Sequence, residues 1–75
     1  MSSLEVFAQN VSRARKQKHL TQEEISHRSG IHVTEVSRIE RGLRDPRVTT
    51  LIRLADALEV SPAVLLRGVA STPPG

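Results

Sequence analysis

Five arginines cluster in the second half of the chain: Arg38, Arg41, Arg44, Arg47 and Arg53. The same stretch holds only two acidic residues, so it accounts for the whole formal net charge of +3. The planar guanidinium fork of arginine matches phosphate oxygens and the O6 and N7 atoms of guanine. The cluster therefore predicts binding to a polyanion, with a solvated charged face as the alternative.

Residue types that carry catalysis or metal binding are absent or unsuitably spaced. The chain has no cysteine, and His19, His27 and His32 show no recognisable metal-ligand spacing. A glycine-rich phosphate loop and a nucleophile elbow are also missing from the sequence. We therefore expect no metal, no cofactor and no enzymatic activity. Since Phe7 is the only aromatic residue, an aromatic stacking platform for single-stranded nucleic acid is excluded as well.

Length and composition limit the chain to one small domain. Its 75 residues allow only a thin core. A hydrophobic fraction of 37% and a charged fraction of 25% are ordinary for a soluble domain. The longest apolar run, residues 63–66, is too short to span a membrane, and the N-terminus lacks the pattern of a secretory signal. We expect a cytoplasmic protein without a membrane partner.

Apolar residues recur at helical spacing along nearly the whole chain, which predicts an all-α domain. The first predicted helix covers about residues 4–18, with Ser3 as its cap. The second begins at the capping box formed by Thr21 and Glu24 and ends at Gly30, which tolerates a left-handed turn.

Three further helices are predicted from the same spacing, at about residues 33–41, 48–58 and 63–67. Gly42 stops the first of these, and Pro62 suits the start of the last. The domain is expected to cover residues 1–68, with 69–75 as a flexible C-terminal tail.

The second and third helices are separated only by Gly30, Ile31 and His32. A short turn containing glycine between two helices is typical of a helix-turn-helix. Residues 22–41 resemble the helix-turn-helix of the phage-repressor family (Cro/CI-like, XRE-type), and the resemblance extends over about residues 7–66. It is carried by four segments: Ser12-Arg13-Ala14-Arg15, Leu20-Thr21-Gln22-Glu23-Glu24-Ile25, Ile39-Glu40-Arg41-Gly42 and Thr50-Leu51-Ile52-Arg53-Leu54-Ala55-Asp56-Ala57-Leu58. The resemblance implies a compact five-helix, lambda-repressor-like DNA-binding domain, as in small stand-alone transcriptional regulators.

By position in the motif, the resemblance implies that the third helix enters the major groove of double-stranded DNA. Val33, Thr34 and Arg38 would meet base edges, with His32 and Ser37 at the margin. Arg38 could hold guanine O6 and N7 together, and a methyl group of Val33 or Thr34 could pack against the thymine methyl. The alternative for Val33 is a helix-surface position without a contact.

The resemblance also implies phosphate contacts and one internal ion pair. Gln22, first in its helix, would touch the DNA backbone. The arginines that flank the third helix would contact phosphates and fix its register: Arg41, Arg44 and Arg47. Arg15 and Glu40 match a pair that forms an internal salt bridge in similar proteins, with two solvated charges as the alternative.

Several positions depart from the family pattern, and three of them lie at predicted helix ends. His19 and Glu59 stand where similar proteins often have a glycine after a helix, and left-handed backbone there would cost each about 1 kcal/mol relative to glycine. Arg47 stands where a capping serine is common. The alternative to a fourth helix that begins at residue 48 is therefore a later start, capped by Thr49 or by nothing.

The C-terminal segment has more apolar side chains than one short helix can bury: Val60, Val64, Leu65, Leu66 and Val69. Because small domains often gain stability by association, we expect a homodimer through this segment, with closure of the monomer core as the alternative. A two-fold dimer would read a pseudo-palindromic operator and repress transcription, or activate it by touching RNA polymerase. The rival hypothesis is an antitoxin-like module whose apolar surface covers a toxin-like protein partner.

Overall fold

The computed structural model describes residues 1–70, which form five α-helices and no strand. The helices are α1 (Ser3–Gln17), α2 (Gln22–Ser29), α3 (Val33–Glu40), α4 (Val48–Leu58) and α5 (Pro62–Leu65). The predicted all-α, five-helix architecture is confirmed, although α3 and α5 end earlier than predicted. Of the predicted tail, residues 71–75 lie outside the described part of the chain.

Capping boxes define the starts of α1 and α2. In α1 the cap is Ser2 and not Ser3 as predicted: the Ser2 hydroxyl accepts from the N–H of Glu5 at 3.2 Å, and the Glu5 carboxylate accepts from the Ser2 N–H at 3.3 Å. In α2 the predicted box between Thr21 and Glu24 is present, at 3.0 Å in both directions. The backbone N–H bond from the cap residue, helped by the cap hydroxyl, lowers the pKa of both glutamates.

Left-handed backbone follows all five helices, at three glycines and at two non-glycine residues. Gly30 closes α2 with φ of 73°, which a glycine adopts without steric cost. His19 and Glu59 both have φ of 56°, so these two non-glycine residues carry the strain anticipated from the sequence. The predicted start of α4 at residue 48 is confirmed, and the alternative of a later start is wrong. Arg47 is the N-cap and makes no side-chain cap hydrogen bond.

The core lies where α1 meets the α2–α3 pair and α4, and α5 closes one end. Its largest fully buried side chains are Ile25, Ile39, Leu54, Leu58, Leu65, Val11 and Val36. Leu65 was expected on a dimer surface, but it has 0% exposure; that expectation is wrong because the inward face of α5 places Leu65 against the other core helices. Val69, expected in the tail, packs partly buried against the same core.

A buried amide ties α1 to the C-terminal segment. The Asn10 side chain is 8% exposed, and its Nδ2 donates to the carbonyl oxygens of Leu65 at 2.9 Å and Arg67 at 2.8 Å. These bonds pair two carbonyls at the end of a four-residue helix that is too short to be stable by itself. Among residues 1–70, no helix has the length and apolar character needed to cross a membrane.

Candidate nucleic-acid interface

The α2–turn–α3 unit presents one helix face outward on a rigid base. Val36 and Ile39 of α3 are fully buried, as is Ile25 of α2, and Ile31 in the turn is 7% exposed. An eight-residue helix is not stable alone in water, so these contacts hold α3 in place. The opposite face of α3 is left free to meet a ligand.

The residues with predicted base contacts lie along this outward face. Thr34 is exposed, and Val33, Ser37 and Arg38 are half-buried. The i, i+4 spacing places Val33 beside Ser37, and Thr34 beside Arg38. The structure thus brings four of the five candidates onto one surface of a single helix.

The fifth candidate, His32, stabilises the start of α3. It is the N-cap of α3, and its Nδ1 accepts from the backbone N–H of Thr34 at 3.2 Å. Histidine is not among the usual N-cap residues, so this bond could not be predicted from residue preference. It fixes the imidazole at the start of the outward face, next to the candidate base-contacting residues.

Arg15 and Glu40 brace the other end of α3. Arg15 Nε lies 2.8 Å from Glu40 Oε2, and Nη2 lies 2.9 Å from Oε1. The remaining Arg15 nitrogen, Nη1, donates to the carbonyl oxygen of Leu20 at 2.8 Å. The side chains are only 14% and 6% exposed, and the hydrogen bonds to Glu40 raise the pKa of Arg15. The bidentate pair therefore joins α1, the turn before α2 and the end of α3.

The candidate phosphate-contacting residues surround α3. Gln22 is the first residue of α2, Arg41 is the C-cap of α3 and Arg47 is the N-cap of α4. Both of these arginines are exposed. Arg41 and Arg47 thus lie after α3 in the chain, at its C-cap and at the start of the next helix.

Arg44, the fourth phosphate candidate, is held by a carboxylate. Its Nε lies 3.1 Å from Oε1 of Glu35 in the first turn of α3. Glu35 was not among the site residues predicted from the sequence. The contact depends on the path of the loop after α3, and helical periodicity gives no information on that path.

An apolar groove lies on another side of the molecule. It has a volume of about 260 Å³, and Leu4, Phe7, Val48, Leu66 and Val69 line it together with flanking residues. The exposed fraction is 42% for Leu66 and 71% for Val48. Of the other predicted dimer residues, Val60 and Val64 are half-buried. The exposure of Val48 could not be predicted from the sequence, because the amphipathic pattern of α4 does not distinguish this residue from its neighbours.

Metal coordination finds no support in the described residues. Within residues 1–70, no group of three histidine, aspartate or glutamate side chains is arranged to hold an ion. The surface around α3 offers hydrogen-bond donors, guanidinium groups and methyl groups, which are the groups that recognise a DNA duplex.

Comparisons with known proteins agree with this geometry. The helix-turn-helix family HTH_3 matches residues 11–65. An uncharacterized HTH-type transcriptional regulator of Sinorhizobium fredii, y4dJ, is 43% identical over 75 residues, which is 100% of this chain and 97% of that protein. The restriction-modification controller protein C.AhdI from Aeromonas hydrophila superposes with a TM-score of 0.81 at 34% identity, over 83% of this chain and 94% of that one. The controller protein C.Esp1396I, solved as a tetramer in complex with its natural 35 base-pair operator, gives a TM-score of 0.82 at 28% identity, over 92% of this chain and 91% of that one.

Proposed function

The chain belongs to the HTH_3 helix-turn-helix family of transcriptional regulators, and from that membership we propose that it binds a pseudo-palindromic operator as a homodimer and represses transcription. The family resemblance identified in the sequence is confirmed by the match to residues 11–65. The observation that carries the proposal is the arrangement of α3: its inner face is locked into the core, and its outer face carries polar and methyl groups at the spacing of one helix surface.

Base reading is assigned to the outward face of α3, seated in the major groove. Arg38 donates to O6 and N7 of a guanine, a bidentate contact worth about 1–3 kcal/mol against other bases. Thr34 and Val33 place methyl groups toward thymine, and Ser37 and His32 lie at the edges of the contact. The family membership and the common orientation of these side chains support this assignment.

Phosphate binding is assigned to the residues around α3: Gln22, Arg41, Arg44 and Arg47. They lie at the helix ends and in the loop next to α3, and phosphate contacts from these positions would hold α3 in register without reading sequence. Gln22 is uncharged, so about three phosphates are neutralised per subunit, by the three arginines, and the logarithm of the binding constant falls against the logarithm of salt concentration with a slope of about −3 per subunit.

The dimer contact is assigned to the C-terminal apolar surface, without Leu65. Leu66 is exposed, and Val60, Val64 and Val69 each retain part of their surface. A two-fold contact through this surface would bury Leu66 of both subunits. It would also place two copies of α3 about 34 Å apart, one turn of DNA, on successive major grooves.

Selection from random duplexes tests the proposal. The wild-type chain should enrich one palindromic sequence, and its mass in solution should be twice 8.3 kDa. The double variant Thr34→Ala/Arg38→Ala should lose the preference while keeping its thermal stability. Arg53→Ala, which removes the same charge from an exposed position on α4, is the matched control. Unchanged preference in the double variant would show that α3 is not the reading helix.

The exposed apolar surface around Leu66 supports a second candidate, an antitoxin-like module that covers a protein partner. A stable monomer with weak and salt-labile DNA binding would favour that function. The sign of regulation is a separate question, since a regulator bound beside a promoter can also activate through RNA polymerase. Transcription in vitro from a template that carries the selected operator distinguishes repression from activation.

A further inference from the structure

One carboxylate lies at the edge of the surface assigned to DNA. Glu35 belongs to the first turn of α3, and its side chain is 35% exposed. It precedes Arg38 by three residues, a spacing that puts the two side chains on neighbouring positions of the helix surface. The Glu35 carboxylate is therefore close enough to the surface assigned to DNA to act on a side chain of that surface.

The carboxylate also binds one of the cations assigned to phosphate. Arg44 Nε lies 3.1 Å from Glu35 Oε1, and the Arg44 side chain is 47% exposed. A guanidinium paired with a carboxylate has no net charge, so the pair exerts little force on a phosphate more than a few ångströms away. As long as the pair is closed, Arg44 releases no counterions from DNA and adds nothing to non-specific affinity.

We infer that Glu35 is a specificity-determining residue, acting by holding Arg44 off DNA phosphates until α3 is seated in its operator; this rests on the proposed function. In a non-specific complex no base contact holds α3 at full depth, so no phosphate oxygen is kept at the position where it would replace the Glu35 carboxylate. On the operator, base contacts fix α3 at full depth, and Arg44 exchanges the Glu35 carboxylate for a phosphate oxygen. The exchange moves one guanidinium between two oxygen acceptors and leaves the count of operator phosphate contacts intact.

The inference makes different predictions for two kinds of DNA. In Glu35→Gln, Arg44 is released before binding. Non-specific DNA then gains one phosphate contact, and the salt slope on a scrambled duplex steepens by about 0.9. The affinity of Glu35→Gln for scrambled DNA, relative to that of the wild type, should therefore fall about 3.5-fold when salt is raised fourfold, from 50 to 200 mM. On the operator, where Arg44 already touches a phosphate, the slope should stay at the wild-type value.

The test uses the operator selected by the wild-type chain, a scrambled duplex of equal length, and fluorescence anisotropy at several salt concentrations. Asp56→Asn is the matched control, because it removes the same single negative charge from an exposed position on α4. Arg44→Gln and the double variant Glu35→Gln/Arg44→Gln show whether the effect passes through Arg44. Both side chains of the pair are part-exposed, so thermal melts of all variants should match the wild type.

The expected result is a steeper slope for Glu35→Gln on scrambled DNA only, and no difference between Arg44→Gln and the double variant. Equal slope changes on both duplexes, the same effect in Asp56→Asn, or an effect that survives in the Arg44→Gln background would overturn the inference and leave the proposed function standing. A wild-type chain that selects no operator at all would overturn both.

Discussion

Arg15→Ala should destabilise the domain strongly although Arg15 lies outside the reading face. The substitution removes two hydrogen bonds to Glu40, at 2.8 and 2.9 Å, and one to the Leu20 carbonyl, at 2.8 Å. The Glu40 side chain is 6% exposed, so its charge would be left almost without water or a partner. An unpaired buried charge of this kind costs about 3–5 kcal/mol.

The cost is large compared with the stability available. At about 0.05–0.15 kcal/mol per residue, a chain of 75 residues has an unfolding free energy of about 4–11 kcal/mol. In a domain of this size each kcal/mol shifts Tm by about 4–8 °C. The loss of Arg15 should therefore lower Tm by at least about 12 °C.

Thermal melts followed by circular dichroism, together with urea titrations, measure the effect. Arg53→Ala, at an exposed position on α4, should change Tm by less than about 3 °C, as expected for surface substitutions. The double variant Arg15→Met/Glu40→Leu should recover most of the loss, because apolar side chains of similar volume can replace a buried ion pair without a net cost. The reasoning is refuted if Arg15→Ala has the Tm of the wild type. It is also refuted if Arg15→Met/Glu40→Leu is less stable than either of its single variants, because the Arg15–Glu40 pair then does not stabilise the fold.

Three further predictions concern positions away from α3. Asn10→Ala leaves the Leu65 and Arg67 carbonyls without their donor and should cost about 1–3 kcal/mol in urea titrations; an unchanged midpoint would contradict this. Glu59→Gly relieves left-handed backbone at φ of 56° and should stabilise by about 1 kcal/mol, seen as a higher Tm. Folding lowers the pKa of Glu24 below its ordinary 4.5. The ionised Glu24 side chain therefore contributes fully to stability above pH 4.5, and this contribution is lost as the pH falls through the pKa of Glu24 in the folded protein. The acid-side fall in Tm should consequently be shallower in Glu24→Gln than in the wild type.

Helix boundaries could be predicted wherever the sequence carries a local signal. The capping box at Thr21 and the left-handed Gly30 bound α2 as expected, because both depend on residues within a single turn. The same signal was present at the start of α1, where Ser2 and Glu5 have capping-box spacing. Choosing Ser3 was an error of interpretation, since two adjacent serines both satisfy the simple preference for a small polar cap.

The candidate site was less accessible to sequence reasoning. The burial of Leu65 depends on the phase of a helix of four residues, which is too short for periodicity to determine. The Glu35–Arg44 pair depends on a loop that brings together residues nine apart in sequence. The cap made by His32 uses a ring nitrogen in place of the usual hydroxyl or carboxylate. The first two cases are tertiary contacts without a local sequence preference, and the third is a local contact made by a residue type that seldom caps helices.

These contacts separate the stability of α3 from the side chains that would read DNA. Val36 and Ile39 fix its inner face, while His32 and the Arg15–Glu40 pair fix its two ends. Apart from His32, which also lies at the edge of the proposed base contact, these fixing interactions use no side chain of an outward residue such as Thr34. Substitutions on the outward face should thus change the preferred operator at nearly constant Tm, because exposed positions contribute little to folding. By the same reasoning, a substitution at the brace or the core weakens binding to every sequence alike, since it alters the fraction of molecules in which α3 is formed.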